Sequence, residues 1–175
     1  MTDYPDLEKI TEEKILNILS ITNLAVDVIT DQNPDESIFN FYLILAPTSG
    51  RSRVIIAQQK ENEYQIEVVS AIRLAENHAK AFMAAPENVQ GRLLHQFAVS
   101  LTPREPDYML DGEFQGPEKQ FNGFSIVLSV FADELSVGTL VRSIRMVLKS
   151  ARIGIRLVQE HLDKIITIPQ ENIEQ

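Results

Sequence analysis

IFNFYLILAPTSGRSRVIIAQQKENEYQIEVVSAIRL, residues 38–74, is the stretch on which the fold turns. Ile38 to Ala46 is an apolar run rich in Phe, Tyr and Ile and too short for a stable helix, which predicts a central strand. Pro47-Thr48-Ser49-Gly50 reads as a hairpin turn into a second strand, Arg51 to Gln59. Lys60 to Asn62 is another polar turn, and Tyr64 to Leu74 alternates through Tyr64, Ile66 and Val68. Upstream, Leu24 to Thr30 also alternates, and Asp31 to Glu36 is a loop of turn-forming residues. Before it, Leu7 to Ser20 has helical apolar spacing, with Asp6 as its cap and Asn23 as its end. One helix followed by a four-strand meander is the result.

Downstream the period changes. Glu76 to Ala85 is helix-prone, Pro86 interrupts it, and a second helix runs from Glu87 to Leu101 with Val89, Leu93, Leu94, Phe97 and Leu101 inward. Asp107 to Leu110 sits beside prolines and predicts a short edge strand. Asp111-Gly112 and Gly116-Pro117 are expected to bracket a loop, and Phe121 to Phe131 is a strand. Asp133 or Ser136 then caps a last helix reaching about Ile166. The fold class is therefore α+β, with a sheet of about five to six strands, an N-terminal helix, middle helices and a long C-terminal helix. Its core should hold Phe41, Leu43, Ile55, Val68, Phe97, Leu128 and Ile144.

Hydrophobic residues make up 44% of the 175, enough to bury a core in a single domain spanning 1–175. The ordered part is expected over about 7–166, with 167–175 as a C-terminal tail. No apolar tract reaches the roughly 20 residues that a membrane helix needs. The acidic start, Met1-Thr2-Asp3-Tyr4-Pro5-Asp6, does not read as a secretory signal. With no cysteine the chain has no disulfide, which fits a cytoplasmic protein.

The last helix carries the most information. Val137, Val141, Ile144, Leu148, Ala151, Ile155, Val158, Leu162 and Ile165 recur at spacings of four and three. Arg142, Arg145, Lys149, Arg152 and Arg156 fall within roughly 80° of arc, while Met146, Ile153 and Leu157 lie beyond them. Ser143, Ser150 and Gly154 form a seam of small residues. That leaves more apolar perimeter than one sheet covers. The expectation is a homodimer, with the long seam on the sheet and Met146, Ile153 and Leu157 facing the second copy. The basic stripe is a candidate anion-binding face or simply the helix's wet side. No acid occurs from Leu135 to Gln159, whereas Met1 to Asn40 holds nine acids against Lys9 and Lys14, in a chain of net charge -9.

Catalytic signatures do not emerge. His78, His95 and His161 lack the i, i+4 spacing of a helical metal site. Ser49-Gly50 lacks a nucleophile-elbow frame, and seven glycines offer little for a phosphate cradle. No metal, no cofactor and no catalytic residue is expected, and net acidity argues against general nucleic-acid binding.

The order of elements resembles a mainly archaeal family of uncharacterised small α+β domains. The resemblance rests on Thr11-Glu12-Glu13-Lys14-Ile15, on Ile72-Arg73-Leu74-Ala75-Glu76-Asn77-His78, and on Phe131-Ala132-Asp133-Glu134-Leu135 ahead of a helix with Arg142 and Arg145. It implies a secretion chaperone-like fold, with helices on a twisted antiparallel sheet and a tendency to pair. It implies no activity. The resulting expectation is a non-enzymatic protein-interaction or chaperone-like module, with itself and an unidentified protein as partners. Binding of an anion or nucleic acid by the basic stripe is the alternative, and an enzyme with a dispersed site is more remote.

Overall fold

The computed structural model describes residues 7–22, 24, 26–30, 38–47, 53–115 and 119–166. Along the chain run α1 (Glu12–Ile21), β1 (Val26–Thr30), β2 (Phe39–Pro47), β3 (Val54–Gln59), β4 (Gln65–Arg73) and α2 (Glu76–Ala84). They are followed by α3 (Glu87–Leu101), β5 (Asp107–Glu113), β6 (Gln120–Phe131) and α4 (Val137–Ile166). The strands form one six-stranded sheet in the order β1-β2-β3-β4-β6-β5, so the meander is real and β5 is an edge. The class is α+β. Of the turn expected at Pro47-Thr48-Ser49-Gly50, Pro47 ends β2 and the rest lies outside the described residues, as do the loop expected at 31–36, the cap expected at Asp6 and the tail expected at 167–175. The chain divides into two compact units, residues 1–70 with 127–149 and residues 71–126 with 150–175.

In the first unit α1 begins later than its apolar spacing suggests. Thr11 is extended (φ -115, ψ 155) and its side chain accepts the Lys14 amide at 3.2 Å, so the helix starts at Glu12 rather than Leu7. The Ile10 amide is already committed to the Glu63 carbonyl at 3.0 Å. Strands β1, β2, β3 and β4 pair antiparallel in sequence. Alternation buries Phe41, Leu43, Leu45, Val54, Ile56, Ile66 and Val68 on one face. Gln58 is the polar member of that face. Its Nε2 donates to the carbonyls of Ile10 (3.0 Å) and Glu63 (3.1 Å), and its Oε1 accepts from Asn40 (2.9 Å), which removes the cost of burying an amide.

Two of the seven core expectations fail here. Ile55 is half-buried because it sits between Val54 and Ile56 and so points to the opposite face. Leu128 is half-buried while its same-phase neighbour Val130 is buried, and nothing in the structure explains that difference. Phe41, Leu43, Val68 and Ile144 are buried. The N-cap of α4 is Ser136, whose Oγ accepts the Thr139 amide at 3.1 Å, and not Asp133.

The second unit is organised by aromatic side chains. Phe97 meets Phe121 and Phe124 edge-on at 5.7 and 5.1 Å between centroids, and Phe82 meets Phe121 at 5.5 Å. From α3, Leu93, Phe97 and Leu101 are buried as expected, whereas Val89 and Leu94 are only half-buried. Gln90 takes their place, donating from Nε2 to the Phe82 carbonyl at 2.9 Å. Strand β5 runs through Asp111-Gly112, where a loop was expected. Gly112 has φ +156, and a Cβ there would come within 2.1 Å of the Gln120 carbonyl oxygen, so the strand pair closes only on glycine. Gly116 and Pro117 lie outside the described residues.

Candidate functional site

The candidate residues lie on α4, and burial decides which of them face outward. In the first unit its buried side chains are Leu140, Ser143, Ile144 and Val147. In the second unit they are Ser150, Ala151, Leu157, Val158 and Leu162, with Gly154 also buried. At about 100° per residue these positions span roughly 140° of the helix. The small seam is therefore interior. A Cβ on Gly154 would stand 2.5 Å from the Phe124 ring, so a side chain there would push the helix off the aromatic cluster.

This corrects the expected heptad seam. Ile144, Ala151, Val158 and Leu162 are buried, but Val141, Leu148, Ile155 and Ile165 are half-buried and Val137 is exposed. Val141, Leu148 and Ile155 lie about 60° to one side of Ile144, Ala151 and Val158 in every turn pair, so only one of the two heptad positions falls within the buried arc. Leu157, named as a dimer contact, is 5% exposed and belongs to the chain's own core. Met146 and Ile153 are half-buried and remain on the outer flank.

All five basic residues, Arg142, Arg145, Lys149, Arg152 and Arg156, are exposed. Their arc is centred opposite the buried one. Arg156 Nε lies 3.4 Å from Glu160. Among the described residues no carboxylate pairs with Arg145, Lys149 or Arg152. In the first unit, the start of α4 carries an open depression of ≈ 530 Å³ lined by Val137, Gly138, Val141, Arg142, Arg145, Met146 and Lys149. It brings apolar side chains and three cations together. The sequence reading had assigned Met146 and the cations to separate surfaces.

Of the histidines, His78 is the one that meets a carboxylate. Its Nε2 lies 2.7 Å from Asp163 Oδ1, beside a narrow cleft of ≈ 90 Å³ lined by Ile72, Arg73, Leu74, Ala75, His78, Phe124, Ile155, Val158 and Gln159. Those lining side chains include no hydroxyl or amine for a His–Asp pair to activate. His161 Nδ1 is instead 3.0 Å from its own helix's Leu157 carbonyl, and His95 is exposed. Nothing local could reveal a pair 85 residues apart. Among the described residues, no three His, Asp or Glu side chains are grouped to hold a metal. None of the described helices is long and apolar enough to cross a membrane.

These features define an α+β domain whose long last helix turns a cationic, partly apolar face to solvent. By sequence the chain belongs to the family described as uncharacterized conserved protein (DUF2299), whose model matches residues 11–158. A solved structure with a similar fold is that of an uncharacterized protein from Methanothermobacter thermautotrophicus. It is 20% identical, with a TM-score of 0.73 over 87% of this chain and 99% of that one. No curated protein matches the chain.

Proposed function

We propose that the protein is a non-enzymatic interaction module that holds an acidic, apolar-bearing segment of a partner chain against the start of α4. The observation that carries this is the depression that Val137, Val141 and Met146 line together with Arg142, Arg145 and Lys149. A merely solvated face needs no apolar side chains among its cations. An acidic amphipathic segment matches both parts, because its apolar side chains desolvate those of the depression while its carboxylates meet the cations. The resemblance of the element order to secretion chaperones, whose work is to hold other polypeptides, supports the same reading. A chain without cysteine suits the reducing cytoplasm.

The test is fluorescence anisotropy with a labelled peptide that alternates Glu with Leu at helical spacing, set against polyglutamate as control. Wild type should bind the amphipathic peptide and not the control. Val141→Asp should weaken binding about tenfold or more, since it places a carboxylate under a carboxylate-bearing ligand. Equal binding of both peptides would overturn the proposal in favour of a plain anion face. That second reading draws on the single sign of charge from Leu135 to Gln159.

A further inference from the structure

The first unit also presents a sheet face that the notion of a one-sided sheet does not explain. Registered pairs place Ile29 beside Ile44, Ile44 beside Ile55, and Ile55 beside Val69. The four form one continuous row across β1, β2, β3 and β4. They lie on the face opposite buried Leu43, Ile56 and Val68. Ile29 is 46% exposed, and the other three are half-buried. An antiparallel sheet with one wet face ordinarily carries polar side chains there. A row of four β-branched aliphatics is a surface with something to cover it.

We infer that this face docks a second copy of the same chain about a two-fold axis running along the row. The charges flanking the row select that occupant. Arg53 lies two residues before Ile55 on one side, and Glu67, opposite Ala57, lies two residues beyond it on the other. A two-fold rotation about the row exchanges the two sides. Each copy's Arg53 then lies over the other's Ala57, one strand spacing from Glu67 and within side-chain reach of it, twice per dimer, across sheets spaced about 10 Å apart. Both groups are available for this. Among the described residues no carboxylate pairs with Arg53, and the Glu67 carboxylate receives only the Gln59 amide at 3.3 Å. Four strands about 4.8 Å apart give a footprint below that of a standard interface, so the dimer is sought over a wide concentration range.

Sedimentation equilibrium on the full chain, from about 1 to 200 µM, reads the result. Wild type should approach twice 19.8 kDa with rising concentration. Arg53→Glu and Glu67→Arg should each weaken the dimer about tenfold or more, because each places two like-charged pairs within reach. The double swap should restore it. These sites are outside the core, and circular dichroism checks that each variant folds. Val141→Asp, which weakens the proposed peptide site, should dimerise as wild type does, so the two proposals fail separately. A monomer at every concentration overturns the inference. So does a dimer that ignores both charge reversals, or one that Ile153→Asp splits, since that copy would dock on α4.

Discussion

At the scale of single residues, the fold is pinned where backbone meets ring. Gly154 costs α4 about 1 kcal/mol of intrinsic helicity relative to alanine, yet alanine has no room there, its Cβ being 2.5 Å from two atoms of the Phe124 ring. Gly154→Ala should therefore destabilise the protein by about 1–3 kcal/mol, the range for overpacking. Gly91 in α3 has nothing within 4 Å of its would-be Cβ, so Gly91→Ala should stabilise by about 0.5–1 kcal/mol. Denaturant titrations of the two variants should shift in opposite directions. Equal shifts would mean that α4 can back away from Phe124.

Exposed ion pairs contribute differently. Lys119, bonded to Glu87 at 2.7 Å, holds that carboxyl below its ordinary value, and Lys14 and Lys80 do the same for Glu8 and Glu76. A depressed carboxyl stabilises the fold above its unfolded value and loses that contribution as pH falls through the folded one. These pairs are therefore spent only in acid, and solvent screening keeps each small. In a carbon-detected carboxyl titration, Lys119→Ala should return Glu87 to its ordinary value, near 4.5.

At the scale of elements, the legible part was the period and the illegible part was the phase. The alternation in residues 38–74 marked each strand of the meander, but β3 opens on three consecutive aliphatics (Val54, Ile55, Ile56), so pattern alone could not say which of its faces is inside. Ile55 was misplaced for that reason. Leu43→Ala should cost about 2–5 kcal/mol, because Leu43 is fully buried. Ile55→Ala should cost under about 1.5 kcal/mol in the monomer, since a half-buried side chain leaves little cavity. Chemical denaturation at low protein concentration separates them. Similar losses would show that the outer face is packed. On α4 the heptad reading met the same limit. Leu140 and Val147 are buried and went unnamed, because the buried arc is centred to one side of the heptad seam, which the repeat does not reveal.

At the scale of the whole molecule, charge segregation was legible from the sequence, but its use was not. Nine acids in residues 1–40 and none from 135 to 159 state the asymmetry. Only the structure shows three of the cations lining one depression with Val137, Val141 and Met146, which a one-dimensional charge count cannot encode. The distinction has a measurable consequence. If the whole stripe met duplex DNA, up to five phosphates would be neutralised, and log affinity would fall against log salt with a slope near 4.5. A chain of net charge -9 works against that encounter at long range, and the three apolar side chains gain nothing from phosphate. Duplex binding should therefore be negligible at about 150 mM salt. Amphipathic-peptide binding should persist there with a shallower slope, because part of it comes from burying those side chains. Anisotropy titrations at three salt concentrations compare the two ligands on one protein. A duplex slope near 4.5 that drops by about 0.9 when Arg152 becomes alanine would make the stripe a nucleic-acid face instead.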